Sequence, residues 1–123
     1  MGKKALVVDD SQTVCNMVAM TLKQEGFDVQ TALDGVIAVE LASNNEFDFV
    51  VTDINMPNMD GIELIRYLRE EVPSCKNIPI LVLTTEGGDS AKNTGKSVGA
   101  SGWITKPYRP EVLLAATRKL CNL

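Results

Sequence analysis

Five apolar or β-branched runs, at residues 5–8, 29–32, 49–52, 79–84 and 103–105, alternate along the chain with stretches whose apolar residues recur at helical spacing. A repeat of that kind predicts a parallel sheet built from βα units. The first, third and fourth runs are continuously apolar, as strands covered by helices on both faces must be. The second alternates with Asp28 and Gln30 and the fifth is brief, which marks both as edges. Right-handed crossovers with helices on both faces then give an α/β, flavodoxin-like (βα)5 three-layer sandwich of strand order 2-1-3-4-5.

The helices between these runs are marked by their stripes and starts. Val14, Val18 and Leu22, with Met17 beside them, recur every fourth residue; Ile62, Ile65 and Leu68 form a second stripe, and Val112, Ala116 and Leu120 a third. Asp60 and Glu63 have capping-box spacing, and Pro110 suits a first helical turn because its missing donor is not needed there. Residues 35–43 give a shorter helix. The fourth helix is the weak one: residues 87–99 hold four glycines and few large apolar groups. Each interior glycine costs about 1 kcal/mol relative to alanine, so a short or loosely held helix is expected there.

At 123 residues the chain is the length of one domain, and residues 1–123 are read as one. The net charge of -4 argues against a nucleic-acid surface, since phosphate backbones are held by clustered Lys and Arg. No apolar run approaches a membrane span and no signal-peptide pattern opens the chain, so a cytoplasmic, non-membrane protein is expected. The three cysteines are widely spaced and histidine is absent, which excludes a His-based triad or phosphohistidine carrier and leaves the cysteines as small apolar fillers.

Chemistry therefore falls to carboxylate, hydroxyl and ammonium groups. Asp9 and Asp10 follow the first strand and Asp53 the third, so the strand order brings three carboxylates to the switch point, with Thr84 ending the fourth strand and Lys106 just past the fifth. Like charges gathered at one sheet edge call for an oxygen-seeking divalent cation, and Mg2+ takes one or two carboxylates plus phosphate oxygens. Asp53 is central and is the best nucleophile, its attack on a phosphoryl donor giving an acyl phosphate. Lys106 would neutralise charge on the transferring group, Thr84 would donate a hydroxyl to it, and Pro107 makes a cis bond possible after Lys106. Taken singly, each acid also fits an ordinary turn residue or helix cap, and Lys106 a snorkelling surface residue.

The strings Val-Val-Asp-Asp-Ser at 7–11, Thr-Asp-Ile-Asn-Met-Pro-Asn-Met-Asp-Gly at 52–61, Leu-Thr-Thr-Glu at 83–86 and Gly-Ala-Ser-Gly-Trp-Ile-Thr-Lys-Pro at 99–107 closely resemble the response-regulator receiver family. The resemblance covers the whole chain and is strongest to single-domain chemotaxis regulators of the CheY type, which bind the flagellar motor switch. It implies that Asp53 is the phosphoacceptor and that a histidine kinase is the donor. It further implies that Asp10, Asp53 and the backbone carbonyl of Asn55 bind Mg2+, with Asp9 acting partly through water. Thr84 and Lys106 become the phosphate-sensing pair, Asn55 and Glu86 match positions that tune dephosphorylation, and Trp103 stands where the family carries its switch aromatic. Trp103 also fits a residue that merely covers the sheet edge. The implied partners are the kinase, a flagellar motor switch protein and a phosphatase, with the chain itself a monomer.

Two other classes share parts of this pattern. A receiver that serves a phosphorelay or regulates an enzyme has the same pocket. An aspartyl phosphohydrolase of the haloacid dehalogenase type needs a second acid two residues after its nucleophile, where this chain has Asn55, and an amide cannot act as general acid.

Overall fold

A computed structural model describes residues 3–123. In chain order the elements are β1 (Lys3–Val8), α1 (Gln12–Gln24), β2 (Phe27–Ala32), α2 (Gly35–Asn44), β3 (Phe49–Thr52), α3 (Gly61–Glu71), a single 3-10 turn at Pro73–Cys75, β4 (Ile80–Thr84), α4 (Asp89–Val98), β5 (Gly102–Thr105) and α5 (Pro110–Cys121). The five strands are parallel in the order β2-β1-β3-β4-β5, as the hydrophobic pattern predicts.

Side chains alternate across a strand, so the central strands feed two cores at once. Leu6, Val8, Val50, Ile80 and Val82 pack with α2 and α3 through Ala38, Ala42, Leu64, Ile65 and Leu68. Ala5, Val7, Phe49, Val51, Leu81 and Leu83 pack with α1 and α5 through Cys15, Val18, Leu22 and Leu113 on the opposite face. Double burial is what makes these strands read as continuous apolar runs, each large side chain contributing about 1.5–3 kcal/mol.

Helix starts follow their sequence signals. Ser11 caps α1, accepting from the Val14 amide at 3.2 Å. Asp34 caps α2, accepting from Ile37 at 2.8 Å. Asp60 and Glu63 form the expected capping box at α3, and Pro110 occupies the first turn of α5.

Two expected helix faces, on α5 and α1, are corrected by the structure. Helix α4 is short as expected, its 10 residues sharing with α2 the least length of the five α-helices among the described residues. Gly87 precedes it, Gly88 and Gly99 cap it, and only Gly95 is interior, so the propensity cost falls once rather than four times. The buried stripe of α5 centres on Leu113 and Thr117, with Ala116 and Leu120 only partly buried, whereas Val112 is exposed. On α1, Met17 is half exposed and Cys15 takes the inward position beside Val18 and Leu22. No helix among the described residues is long and apolar enough to cross a membrane.

Candidate functional site

The C-terminal ends of β1 and β3 lie side by side, in a register that pairs Val8 with Thr52, so the residues that follow them meet. One carboxylate oxygen from each of Asp9, Asp10 and Asp53 falls within a cluster whose members all lie within 4.8 Å of one another. Asp9 and Asp53 are buried, at 3% and 7% exposure, while Asp10 is exposed.

Local backbone geometry holds the two buried acids. Asp9 Oδ1 accepts from the Ser11 amide at 2.9 Å, the same residue that caps α1. Asp53 Oδ1 accepts from the amides of Ile54 at 2.6 Å and Asn55 at 3.3 Å. Helix α3 begins against this turn: Gly61 donates its amide to the Ile54 carbonyl at 2.8 Å, and a Cβ on Gly61 would collide with the Asp53 carbonyl oxygen and the Ile54 Cα. Glycine is therefore required at 61 for α3 to start directly behind the central acid. The sequence marks Asp60-Gly61 only as a helix start, and the second duty of Gly61 is visible only when β3 and α3 are packed.

Lys106 crosses the pocket from the β5–α5 loop. Its Nζ donates to Asp9 Oδ2 at 2.7 Å and to Asp53 Oδ2 at 2.9 Å, bridging residues from two strands. The Lys106–Pro107 peptide bond is cis, the isomer the sequence allows there. Thr84, fully buried at the end of β4, accepts the Lys106 amide on its carbonyl at 2.7 Å and the Glu86 amide on its hydroxyl at 3.3 Å.

These contacts give the two buried acids opposite proton affinities. Burial pushes the Asp9 carboxyl above its ordinary value, and the Lys106 bond and Ser11 amide only partly offset it. Burial also acts on Asp53, but the Thr84 hydroxyl, the Lys106 ammonium and the Ile54 amide outweigh it and hold this carboxyl below the ordinary range. Desolvation works against the Lys106 cation, yet Asp9 and Asp53 raise its pKa above that of a free lysine. The central acid is thus held as a carboxylate facing a fixed ammonium.

Three carboxylates facing one ammonium form a hard-oxygen, net-negative donor set, which suits a cation such as Mg2+ that keeps several waters. Asn55 follows Asp53 directly after Ile54, with its side chain exposed and its carbonyl on the pocket-forming turn. Glu86 is exposed on the β4–α4 loop. Trp103 lies outside the carboxylate pocket, half-buried against α4, with its indole Nε1 donating to the Glu86 carbonyl at 2.8 Å. The sequence strings thus converge at one sheet edge, apart from this ring.

Residues 5–118 match the family described as the response regulator receiver domain. The chain is 35% identical over 118 residues to regulatory protein VanRc of Enterococcus gallinarum, covering 96% of this chain and 49% of that protein. It is 40% identical over 120 residues to response regulator MprA of Mycobacterium sp. strain KMS, covering 98% of this chain and 51% of the relative. The chain therefore spans about half the length of these curated relatives. Among solved structures, the chemotaxis response regulator CheY4 of Vibrio cholerae superposes with a TM-score of 0.92 at 42% identity, covering 98% of this chain and 99% of that one.

Proposed function

The chain belongs to the response regulator receiver family, and on that footing we propose that Asp53 accepts a phosphoryl group from a histidine kinase and that the resulting acyl phosphate switches the α4–β5–α5 face for a partner. The observation that carries this reading is the pairing at Asp53: a buried carboxylate kept ionised below the ordinary range, with Lys106 2.9 Å from one of its oxygens.

An Asp53 carboxylate oxygen attacks phosphorus as the bond to the donor imidazole nitrogen breaks, and the imidazole departs with that electron pair. Backbone amides of Ile54 and Asn55 fix Asp53 Oδ1, so the carboxylate is oriented before the donor arrives. Lys106 is placed to follow the growing negative charge, and the Thr84 hydroxyl can turn toward a phosphoryl oxygen. Asp10, Asp53 and the Asn55 carbonyl would hold Mg2+, with Asp9 beside them; the ion supplies neutralisation of the transferring group when bound. Asn55 and Glu86 flank the approach of water and set the lifetime of the phosphorylated state.

The output is proposed to be chemotactic, acting on a flagellar motor switch protein, in a cytoplasmic single-domain monomer whose signal a phosphatase can end. The full-length match to a chemotaxis protein at 42% identity supports this. A second reading, a receiver serving a phosphorelay or another effector, is favoured by comparable identity to VanRc and MprA. Both share the pocket.

Acetyl phosphate with MgCl2 should add one phosphoryl group to the intact mass, and Asp53→Asn should abolish it. No adduct, or an adduct mapped to another side chain, overturns the assignment of Asp53. A phosphorylation-dependent pull-down from the source cell separates the outputs: capture of a motor switch protein supports chemotaxis, and capture of a different effector supports the second reading.

A further inference from the structure

The loop that joins β3 to α3 carries Asn55 and is fastened at its base and again at its tip. At the base, the Gly61 amide closes it onto the Ile54 carbonyl at 2.8 Å. At the tip, the Met59 amide donates back to the Pro57 carbonyl at 2.7 Å, a tight turn centred on Asn58, whose φ of 67° lies in the left-handed region. Asparagine enters that region more readily than most residues, but a turn this tight is strained and needs outside support.

That support comes from the start of α2. Asp34 uses its two carboxylate oxygens separately. Oδ1 accepts from the Ile37 amide at 2.8 Å and caps the helix, while Oδ2 accepts from the Asn58 side-chain amide at 2.8 Å, from a residue 24 positions further along the chain. Next to it, Gly35 is buried, and a Cβ there would lie 2.7 Å from the Met59 carbonyl oxygen and 2.8 Å from Met59 Cβ. The main chain of the tip thus rests directly on the first residue of α2, and because the closest atom is backbone, a side chain at 35 is accommodated only by moving the loop. Met56 and Met59 also pack against the core under α2 and α3. Asn55 lies between the two fastenings.

We infer that Asp34, Gly35 and Asn58 are positioning residues for the cation site, acting through the β3–α3 loop. With the base fixed at Gly61 and the tip tied to α2, the Asn55 carbonyl is already held at the pocket when an ion arrives. A carbonyl that had to be ordered on binding would weaken the hold on the ion. The inference deepens the proposed function and rests on its assignment of the Asn55 carbonyl to Mg2+. It gives the β2–α2 turn, which contributes nothing to the carboxylate cluster, a part in the affinity of that cluster.

The test is an amide NMR titration of the metal-free full chain with MgCl2 at constant ionic strength, read at Asp10 and Asn55. Gly35→Ala and Asp34→Ser should each raise the dissociation constant about ten-fold, the lower end for groups that support ligands without binding the ion. Serine still caps α2, and alanine is a better helix former than glycine, so neither loss is explained by unravelling of the helix. Asp34→Asn removes the same charge as Asp34→Ser but keeps an amide that can donate to the Asn58 side-chain oxygen once that group turns over, and should stay within about two-fold of the unsubstituted chain. Before any metal is added, the Asn55 amide should exchange with solvent faster in Gly35→Ala and Asp34→Ser than in Asp34→Asn or the unsubstituted chain. Dissociation constants within about two-fold of the unsubstituted value in both Gly35→Ala and Asp34→Ser overturn the proposal. So does a loss in Asp34→Asn equal to that in Asp34→Ser, which would assign the effect to charge, and so does Asn55 exchange that is the same in all four proteins. If the unsubstituted chain binds Mg2+ yet acetyl phosphate adds no phosphoryl group, the proposed transfer to Asp53 fails instead, and the titrations and exchange rates still decide the role of the tie.

Discussion

Replacing Lys106 with methionine tests whether the ammonium is what lets three carboxylates share one pocket. Nζ lies 2.7 Å from Asp9 and 2.9 Å from Asp53, and the three side chains are only 16%, 4% and 8% exposed, in the order Lys106, Asp9, Asp53. Removing one partner of a buried pair costs about 3–5 kcal/mol, and methionine preserves much of the apolar stem. The pocket is open enough at Lys106 and Asp10 for water to screen part of the repulsion, so the lower end, about 3 kcal/mol, is expected. For a chain of this length that is a fall of about 10 °C in Tm. A divalent cation on the same carboxylates replaces the missing charge, and a ligand at a hundred times its Kd stabilises by about 2.7 kcal/mol. The unsubstituted protein gains less, because there the cation competes with the ammonium. Urea titrations followed by circular dichroism should therefore show a deficit of about 3 kcal/mol in EDTA, shrinking below about 1 kcal/mol in saturating MgCl2. The pH dependence has a defined sign. The folded-state pKa of Lys106 is raised, so its contribution is complete below the ordinary value of 10.5 and is lost only as pH rises through the higher folded value. Asp9 is raised as well, so the folded state takes up a proton before the unfolded chain does. The deficit of the variant should shrink as pH falls through that raised value toward 3.8. A variant as stable as the parent in EDTA at neutral pH, or one whose deficit is equal with and without MgCl2, refutes the reasoning.

Three further outcomes follow from other parts of the molecule. Asp34→Ala removes the α2 cap and its bond from Asn58 at 2.8 Å, and should cost about 1 kcal/mol at neutral pH. Its carboxyl pKa is lowered chiefly by the Ile37 amide, so this contribution is present above 3.8 and disappears as pH falls through the lower folded value; a deficit that persists in strong acid would contradict it. Arg69→Met strips donors from the carbonyls of Cys75, Ile78 and Gly99 and should cost about 3 kcal/mol, with faster amide exchange at the C-terminal end of α4; a change under about 0.5 kcal/mol would sink it. Burial raises all three thiols, Cys15 to about 11 with the charge of Asp9 reinforcing it, so access decides the order and alkylation of the folded protein should begin at Cys121, the one of the three that is partly exposed. Mass mapping that finds Cys15 modified first would contradict the packing of α1.

The strands were readable because burial on two faces leaves no polar residue to interrupt them, and their order followed from which runs were interrupted. The helix faces were less readable, for reasons that belong to particular side chains. Thr117 is fully buried because its hydroxyl donates to the Leu113 carbonyl at 2.8 Å within α5, so a residue that counts as polar in a pattern behaves as apolar in the core. That shifts the buried stripe off Val112. Gly95 counts as a weak point in any propensity sum, and its use appears only when the Trp103 ring is laid against it. The carboxylate cluster was legible as a set of strand ends, but the span of Lys106 to two of its members, 97 and 53 residues away, is a product of the fold alone.

The same residue type in this chain also serves as an ordinary cap, and the contrast bears on what the pocket acids are for. Asp34 and Asp60 sit at helix N-termini, where amides stabilise their charge and water reaches them. An acid kept for local structure belongs in such a place. Asp9 and Asp53 are nearly as buried as the apolar residues that precede them, and Asp9 binds its proton more tightly than a free carboxyl because of it. Asparagine at either position would accept the same backbone amides without burying a charge, so turn geometry alone does not account for aspartate. What asparagine cannot supply is a nucleophilic oxygen or a charge for a divalent cation. The stability given up by enclosing two acids beside a third, and partly restored by Lys106, therefore argues for phosphoryl chemistry at this edge of the sheet rather than for a structural turn.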